Sequence, residues 1–329
     1  MKHKLMLVFV SFALVFAFGV QGALSAKINI DVNCTMKPGG SEEAAIKKFK
    51  EIVEAKSDGR MKVKVFMSGQ LGKEKAVLEL MKIGQTQMAL TGGIFRTMFA
   101  KEYDPITIPF YLPDWEAVKT YLEGPVGKKI GILAAEKGGV IDFGPQKRAA
   151  REMTSNIVIK EPGDLKGLKM RLPAIPIWVD VWSELGAMPT VIPAPEIYLA
   201  MKTGQVDAHE NSLVSPYSRK LWEVQKYIIM TDHVYFPWHW VASKKWFDSL
   251  SADDQNLIRE AVDEARAYGD QVEDEKDAFY AEELKKKGMT FIVPDKAAIR
   301  DAAKPAITRA VNALAPEVAV EVERITTNN

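Results

Sequence analysis

The feature that most limits what this chain can fold into is an alternation. From Lys27 onward, short β-type runs and helical runs follow one another in the order expected of an α/β domain. Lys27-Ile28-Asn29-Ile30-Asp31 is expected to be the first strand. Ser41-Glu42-Glu43 then opens a helix by capping and acidic first-turn charge, Ala45, Phe49, Ile52 and Val53 share one face, and Gly59 ends it. Residues 61–65 alternate as a half-buried strand. A helix over 74–83 and a strand over 87–90 follow, Pro105 and Pro109 bracket a rigid connector, and Asp114 caps a short helix. The first part is therefore βαβαβ-like. A fresh alternation begins near 149–154, with a strand over 168–172 and helices over 175–185 and 195–202. Residues 233–242 are suited to a long strand crossing back to the first part, and the charged helical stretch 251–287, interrupted only by Gly269, can run along both.

This pattern predicts an α/β chain of two lobes with one long helix spanning both. Residues 27–148 with 237–276 are expected to form lobe I, and 149–236 with 277–329 lobe II. The roughly 300 residues involved can bury two cores.

The N-terminus bears on compartment. Lys2 and Lys4 precede a charge-free run over residues 5–26, rich in Leu, Val, Phe and Ala, and Leu24-Ser25-Ala26 offers a small-residue cleavage site. Residues 1–26 are expected to be a signal peptide cleaved near Ala26, which places the mature protein in the periplasm; an uncleaved anchor is the alternative reading of the same run. The single cysteine, Cys34, excludes an intramolecular disulfide framework and a multi-thiolate metal site. Cleavage lowers the 44 Lys and Arg to 42 against 43 acids, a net charge of −1, which gives no electrostatic reason to bind nucleic acid.

Catalytic motifs are missing where they would be sought. His209-Glu210 begins like a zinc-protease helix, but Leu213 occupies the place of the second histidine. His233 and His239 on one strand would stand roughly 20 Å apart, too far to share an ion, and are expected to be structural. Gly69-Gln70-Leu71-Gly72-Lys73-Glu74 lacks the ending of a phosphate loop, and there is no nucleophile elbow. Neither catalysis nor a cofactor or metal is expected.

The informative run is Asp164-Leu165-Lys166-Gly167-Leu168-Lys169-Met170-Arg171-Leu172-Pro173, followed by Leu185-Gly186-Ala187-Met188-Pro189-Thr190 and by Glu196 through to Val206-Asp207-Ala208-His209-Glu210-Asn211. With Gly59-Arg60, Gly69-Gln70-Leu71-Gly72, Ile108-Pro109-Phe110 and Arg151-Glu152-Met153-Thr154, this resembles the DctP-type solute-binding subunits of tripartite ATP-independent periplasmic (TRAP) transporters. The resemblance rests on the order and spacing of all the pieces and covers essentially the whole chain after the signal.

The resemblance implies a two-lobed periplasmic binding-protein fold with a ligand cleft between the lobes, and a monomeric receptor that captures a small organic carboxylate (a dicarboxylate, sugar acid, keto or hydroxy acid, or aromatic acid) and passes it to membrane subunits driven by an ion gradient. A sensory protein or an ATP-driven uptake receptor for the same ligands is the alternative. It assigns Arg171 as the carboxylate clamp, Arg151 as a second arginine that binds or positions the carboxylate, and Asn211 as an amide donor. Guanidinium chemistry fits the clamp, since its planar fork of donors matches two carboxylate oxygens and stays charged when shielded; a surface ion pair is the plainer alternative for Arg171, a hinge salt bridge for Arg151 and a turn for Asn211. Glu210 is expected to steady the arginines, since it would repel an anion. Trp178 and Trp238 could form a stacking wall for an apolar acid or belong to the core, while Phe95 and Arg96 are expected on the opposing lobe, Arg96 meeting a second carboxylate or lying on the surface.

Overall fold

The structure, a computed structural model, describes residues 27–327; the expected signal segment lies outside the described residues. Eleven strands among these form two sheets: β1 (Ile28–Cys34), β2 (Met61–Phe66), β3 (Met88–Thr91), β4 (Val140–Gln146), β5 (Glu152–Ser155), β6 (Lys169–Leu172), β7 (Met188–Val191), β8 (Ala208–Asn211), β9 (Tyr227–Ile229), β10 (Trp238–Ser243) and β11 (Thr290–Ile292). One sheet runs β2-β1-β3-β10-β4 and the other β11-β9-β5-β8-β6-β7. In the first, β1, β2 and β3 are parallel, and β10 inserts antiparallel between β3 and β4. The chain thus returns to lobe I after building most of lobe II, and the returning strand begins at Trp238 rather than at His233.

Helix Ser41–Lys56 shows how local pattern becomes packing. Ala45, Ile46, Phe49, Ile52 and Val53 are buried along one face and join Ile30, Val32, Met61 and Trp240 in a single core. Each such large side chain contributes about 1.5–3 kcal/mol by leaving water. Ser41 does not cap this helix. Gly40 is the cap position and provides no side-chain bond, while the Ser41 hydroxyl donates to Glu273 on the long helix.

The long helix, Ala252–Lys286, is capped by Ser251, whose hydroxyl accepts from the Asp254 amide at 3.2 Å; acids fill its first turn and lysines its last. Ile258, Ala261, Val262 and Ala265 recur at helical spacing and pack in the lobe I core, where Asp254 also receives the Arg60 guanidinium. Thirty residues further along, Leu284 packs with Leu213, Ile228 and Met289 of lobe II. One rigid element of 35 residues therefore joins both cores.

The C-terminal helix Pro316–Thr327 corrects the expected division. Its apolar stripe of Val318, Val322 and Ile325 packs with Trp115, Val118 and Tyr121 in lobe I, although residues 277–329 were expected in lobe II. Helix Lys296–Val311 packs through Ile299, Ala303 and Ala306 in the cluster that holds Met153, Met170 and Leu172.

Gly269 sits where the long helix comes closest to its neighbours. A β-carbon there would lie 2.9 Å from that of Ala45 and 2.7 Å from the Gln146 amide, so only glycine fits without displacement. Gly269→Leu is expected to lower stability by about 1–3 kcal/mol through overpacking, measured as the shift in the urea unfolding midpoint. An unchanged midpoint would show that the contact is soft.

Candidate functional site

The site is built from the β5, β6 and β8 region of lobe II and the segments that cross between lobes. Arg171 on β6 pairs with His209 on β8, and strand alternation puts Asn211 on the face they share. Glu210 lies on the opposite face, the one it shares with Met153, its partner on β5. Arg171 is 4% exposed. Its Nε donates to the Ile192 carbonyl at 2.8 Å, which holds the guanidinium plane, and no acceptor among the described residues takes its two Nη groups. Burial lowers its pKa to about 10, Glu210 opposes that shift, and the charges of Arg151 and Arg219 add to it. The group stays cationic at neutral pH, with unmet donors.

Arg151 is differently engaged. Its Nε and one Nη form a two-pronged pair with Glu210 at 2.6 and 2.9 Å, and the same Nη reaches the Glu210 carbonyl at 3.2 Å. The guanidinium carbon lies 4.7 Å from the centre of the Trp178 ring, and the Trp178 indole donates to the Thr107 carbonyl at 2.8 Å. Burial alone would raise the Glu210 pKa, but Arg151 and the His233 bond outweigh it and bring the carboxyl down to about 2. His233 Nε2 lies 3.2 Å from Glu210, and its Nδ1 lies 2.8 Å from the Thr231 hydroxyl. Burial pushes His233 below its ordinary pKa despite Glu210; in the neutral form, Nε2–H donates to the carboxylate and Nδ1 accepts from Thr231. His239 has its own partner, Asp142, at 3.2 Å. His209 is fully buried, and burial takes its pKa down to about 3.

Asn211 is half-buried at the end of β8, and its side-chain oxygen accepts from the Ser212 amide at 2.9 Å. Its amide N–H groups are the part it presents. Beside it opens a cavity of about 580 Å³, within the size range of roughly 300–1,000 Å³ for small-molecule sites. Ser41 and Glu42 line it from lobe I, Ser212 and Arg219 from lobe II, with Arg148 at the crossing and Glu273 on the long helix. A slightly larger cavity, about 640 Å³, lies behind the crossing segments between residues 110–113 and helix Lys296–Val311. Its lining includes neither Arg148 nor Arg219, which both line the smaller cavity, whereas Arg151, Arg171 and Asn211 line neither; these two arginines, with Ser212 beside Asn211, therefore favour the smaller one.

Two expectations are corrected. Phe95 and Arg96 are wholly buried in lobe I: the Phe95 ring lies 4.6 Å from His239, and Arg96 pairs with Asp104 at 3.1 Å beneath Phe236. Their helix, Ile94–Phe99, turns these side chains away from the cleft. Trp178 is 1% exposed and backs Arg151, and Trp238 is 4% exposed with the Arg148 guanidinium 4.9 Å above its ring. Both indoles therefore support arginines and form no aromatic wall facing a ligand. Arg148, Arg219, Glu42 and Glu273 were missed because they stand in charged runs, such as Lys147-Arg148 and Ser218-Arg219-Lys220, where a solvated surface is the ordinary explanation.

Glu210→Gln leaves the buried Arg151 charge without its partner and is expected to destabilise the fold by about 3–5 kcal/mol. The Glu210 carboxyl titrates at about 2 in the fold against an ordinary 4.5. Its contribution is therefore complete above pH 4.5 and is lost as pH falls towards 2. The difference in unfolding free energy between wild type and Glu210→Gln should narrow across that window; a difference that stays constant down to pH 2 would refute the ion pair as its source.

Comparison with known proteins is consistent with this geometry. Residues 33–313 match the family model described as bacterial extracellular solute-binding protein, family 7 (DctP). A solute-binding protein of Roseobacter denitrificans is 34% identical over 260 residues, 79% of this chain and 80% of its own. A TRAP periplasmic solute-binding protein structure from that organism, with bound L-galactonate, superposes with a TM-score of 0.76 at 31% identity, covering 92% of this chain and 99% of the other. One from Ochrobactrum anthropi reaches 0.86 at 29% identity (92% and 97%), and one from a Bradyrhizobium species, in complex with D-galacturonate, 0.76 at 30% (90% and 99%).

Proposed function

This chain belongs to the bacterial extracellular solute-binding proteins of family 7, periplasmic receptors of TRAP transporters that bind small organic acids and act with membrane subunits, and from that premise we propose that its own ligand is a hydroxylated sugar acid held through its carboxylate by Arg171. These are transport receptors rather than enzymes.

The observation that carries the reading is the state of the two arginines. Arg151 is already matched by Glu210, whereas Arg171 is held by a backbone carbonyl through one nitrogen and keeps both Nη groups for an acceptor. An anchored but unpaired guanidinium is the complement of a carboxylate, and each bond to the charged group contributes about 1.5–3 kcal/mol. In this reading Arg151 and Glu210 orient the site, and Asn211 donates its amide to the ligand.

The remaining walls favour hydroxyls over an apolar body. Ser41, Glu42, Ser212, Ser218, Glu273 and Asp277 contribute polar groups, and the indoles that would stack on an aromatic acid lie behind arginines. The relatives with bound L-galactonate and D-galacturonate point the same way. Movement of the lobes about their crossing segments would close the cavity, and exclusion of water would strengthen the Arg171 contact. The receptor is monomeric in this reading, with the signal segment removed near Ala26.

Arg171→Lys replaces the fork with a single ammonium, and L-galactonate binding is expected to weaken by about tenfold or more in titration calorimetry. An unchanged dissociation constant would remove Arg171 from the role. In a thermal-shift panel of organic acids, L-galactonate and D-galacturonate should raise the melting temperature more than phenylacetate or indole-3-acetate, and the opposite ranking would return the aromatic-acid alternative.

A further inference from the structure

The larger cavity, about 640 Å³, has no part in the sugar-acid site and lies between residues 110–113 and helix Lys296–Val311. Phe110, Leu112, Ile307 and Val311 give it an apolar side, and the first three are buried. Along the helix, Lys296, Arg300 and Lys304 follow at intervals of four residues, on the face that continues through Ile307 and Val311. One stripe of the helix therefore passes from cationic to apolar. Phe110 and Asp232 line the same cavity, and both are non-glycine residues in the left-handed region, at φ 63° and 46°. Their segments are tied together by the bond from the Phe110 amide to the His233 carbonyl at 2.7 Å. Conformations of this kind cost energy and collect at functional positions.

The charges in the lining are unequally engaged. Asp232 receives the Lys296 ammonium, and its amide donates to Glu152 at 2.9 Å, so that pair is matched within the protein. Arg300 and Lys304 form no salt bridge or hydrogen bond among the described residues, and Asp301 is the only other acid in the lining. Burial pushes the Tyr111 hydroxyl above its ordinary pKa, with the Arg300 charge opposing it, which leaves a further proton donor in the wall. The stems of Arg300 and Lys304 can lie along the apolar side while their charged heads stay hydrated. A sugar acid would leave its hydroxyls against Phe110 and Leu112 without partners, and a neutral apolar molecule would leave the two cations unmatched. We propose that this cavity is a second binding site, for an amphipathic monoanion of the medium-chain carboxylic acid class, with the carboxylate on Arg300 and Lys304 and the chain against Phe110, Leu112, Ile307 and Val311. It shares no residue with the site assigned to the sugar acid.

The test is titration calorimetry of the purified receptor with octanoate, hexanoate and 1-octanol. Each methylene moved out of water contributes about fourfold in affinity, so octanoate should bind about tenfold more tightly than hexanoate. The alcohol, which has the chain without the charge, should bind about tenfold more weakly than octanoate or worse. Arg300→Glu reverses the charge and Ala297→Trp places a large side chain in the lining, both at exposed positions. Each should weaken octanoate by about tenfold or more, with melting curves of the free variants matching wild type; Lys304→Glu replaces either one that does not fold. Arg171→Lys should leave octanoate binding within about twofold of wild type. No octanoate binding, equal affinities for the three probes, or undiminished binding in the cavity variants would overturn the site. A loss in Arg171→Lys alone would place the acid at Arg171 instead and overturn it as well.

Discussion

The buried pair between Arg151 and Glu210 is where the lobes, the hinge and the site meet. Arg151 lies just before β5, Glu210 is on β8, and His233 adds a third partner from the segment leading back to lobe I. The backbone reinforces the junction: the Arg151 amide donates to the Val234 carbonyl, the His233 amide to the Arg151 carbonyl, and the Phe110 amide to the His233 carbonyl. Three passages of the chain are thereby held at one charged centre, with Trp178 as its apolar backing. Such a pair adds little net stability over an apolar equivalent, since its attraction must first offset desolvation. Its contribution here is positional, because it ties the start of β5 and β8 to the segment that returns to lobe I.

A second constraint is the long helix. A helix of 35 residues is roughly 52 Å long at the standard rise, enough to pass from one core to the other. Its middle carries Glu273, which accepts from Ser41 of lobe I and from the Ala149 amide at the crossing. The same residue lines the cavity, so a structural strut also forms part of the cavity wall. Closure about such a frame need only displace the short crossing segments, leaving both cores intact.

The parts of this architecture that were legible in advance are those encoded locally. The face of helix Ser41–Lys56, the alternation of β2, the Asp114 cap that accepts from Ala117 and the length of the long helix all follow from residues close together in sequence. The motif around Arg171 was legible through resemblance. Assignments that depended on partners distant in sequence were less secure: Arg96 meets Asp104 inside lobe I, Ser41 binds a residue 232 positions away, and the C-terminal helix crosses back to the first core.

By itself, the sequence determined the α/β alternation and carried none of the motifs sought for catalysis, because periodicity and residue chemistry are local properties. Tertiary structure alone decided which charges are satisfied. Both Arg151 and Arg171 are buried, yet Arg151 is paired with Glu210 whereas Arg171 has only its Nε bonded among the described residues; Arg219, inconspicuous between Ser218 and Lys220, stands on the cavity wall. Counter-charges arrive from segments scores of residues apart, and only the fold brings them near or keeps them away.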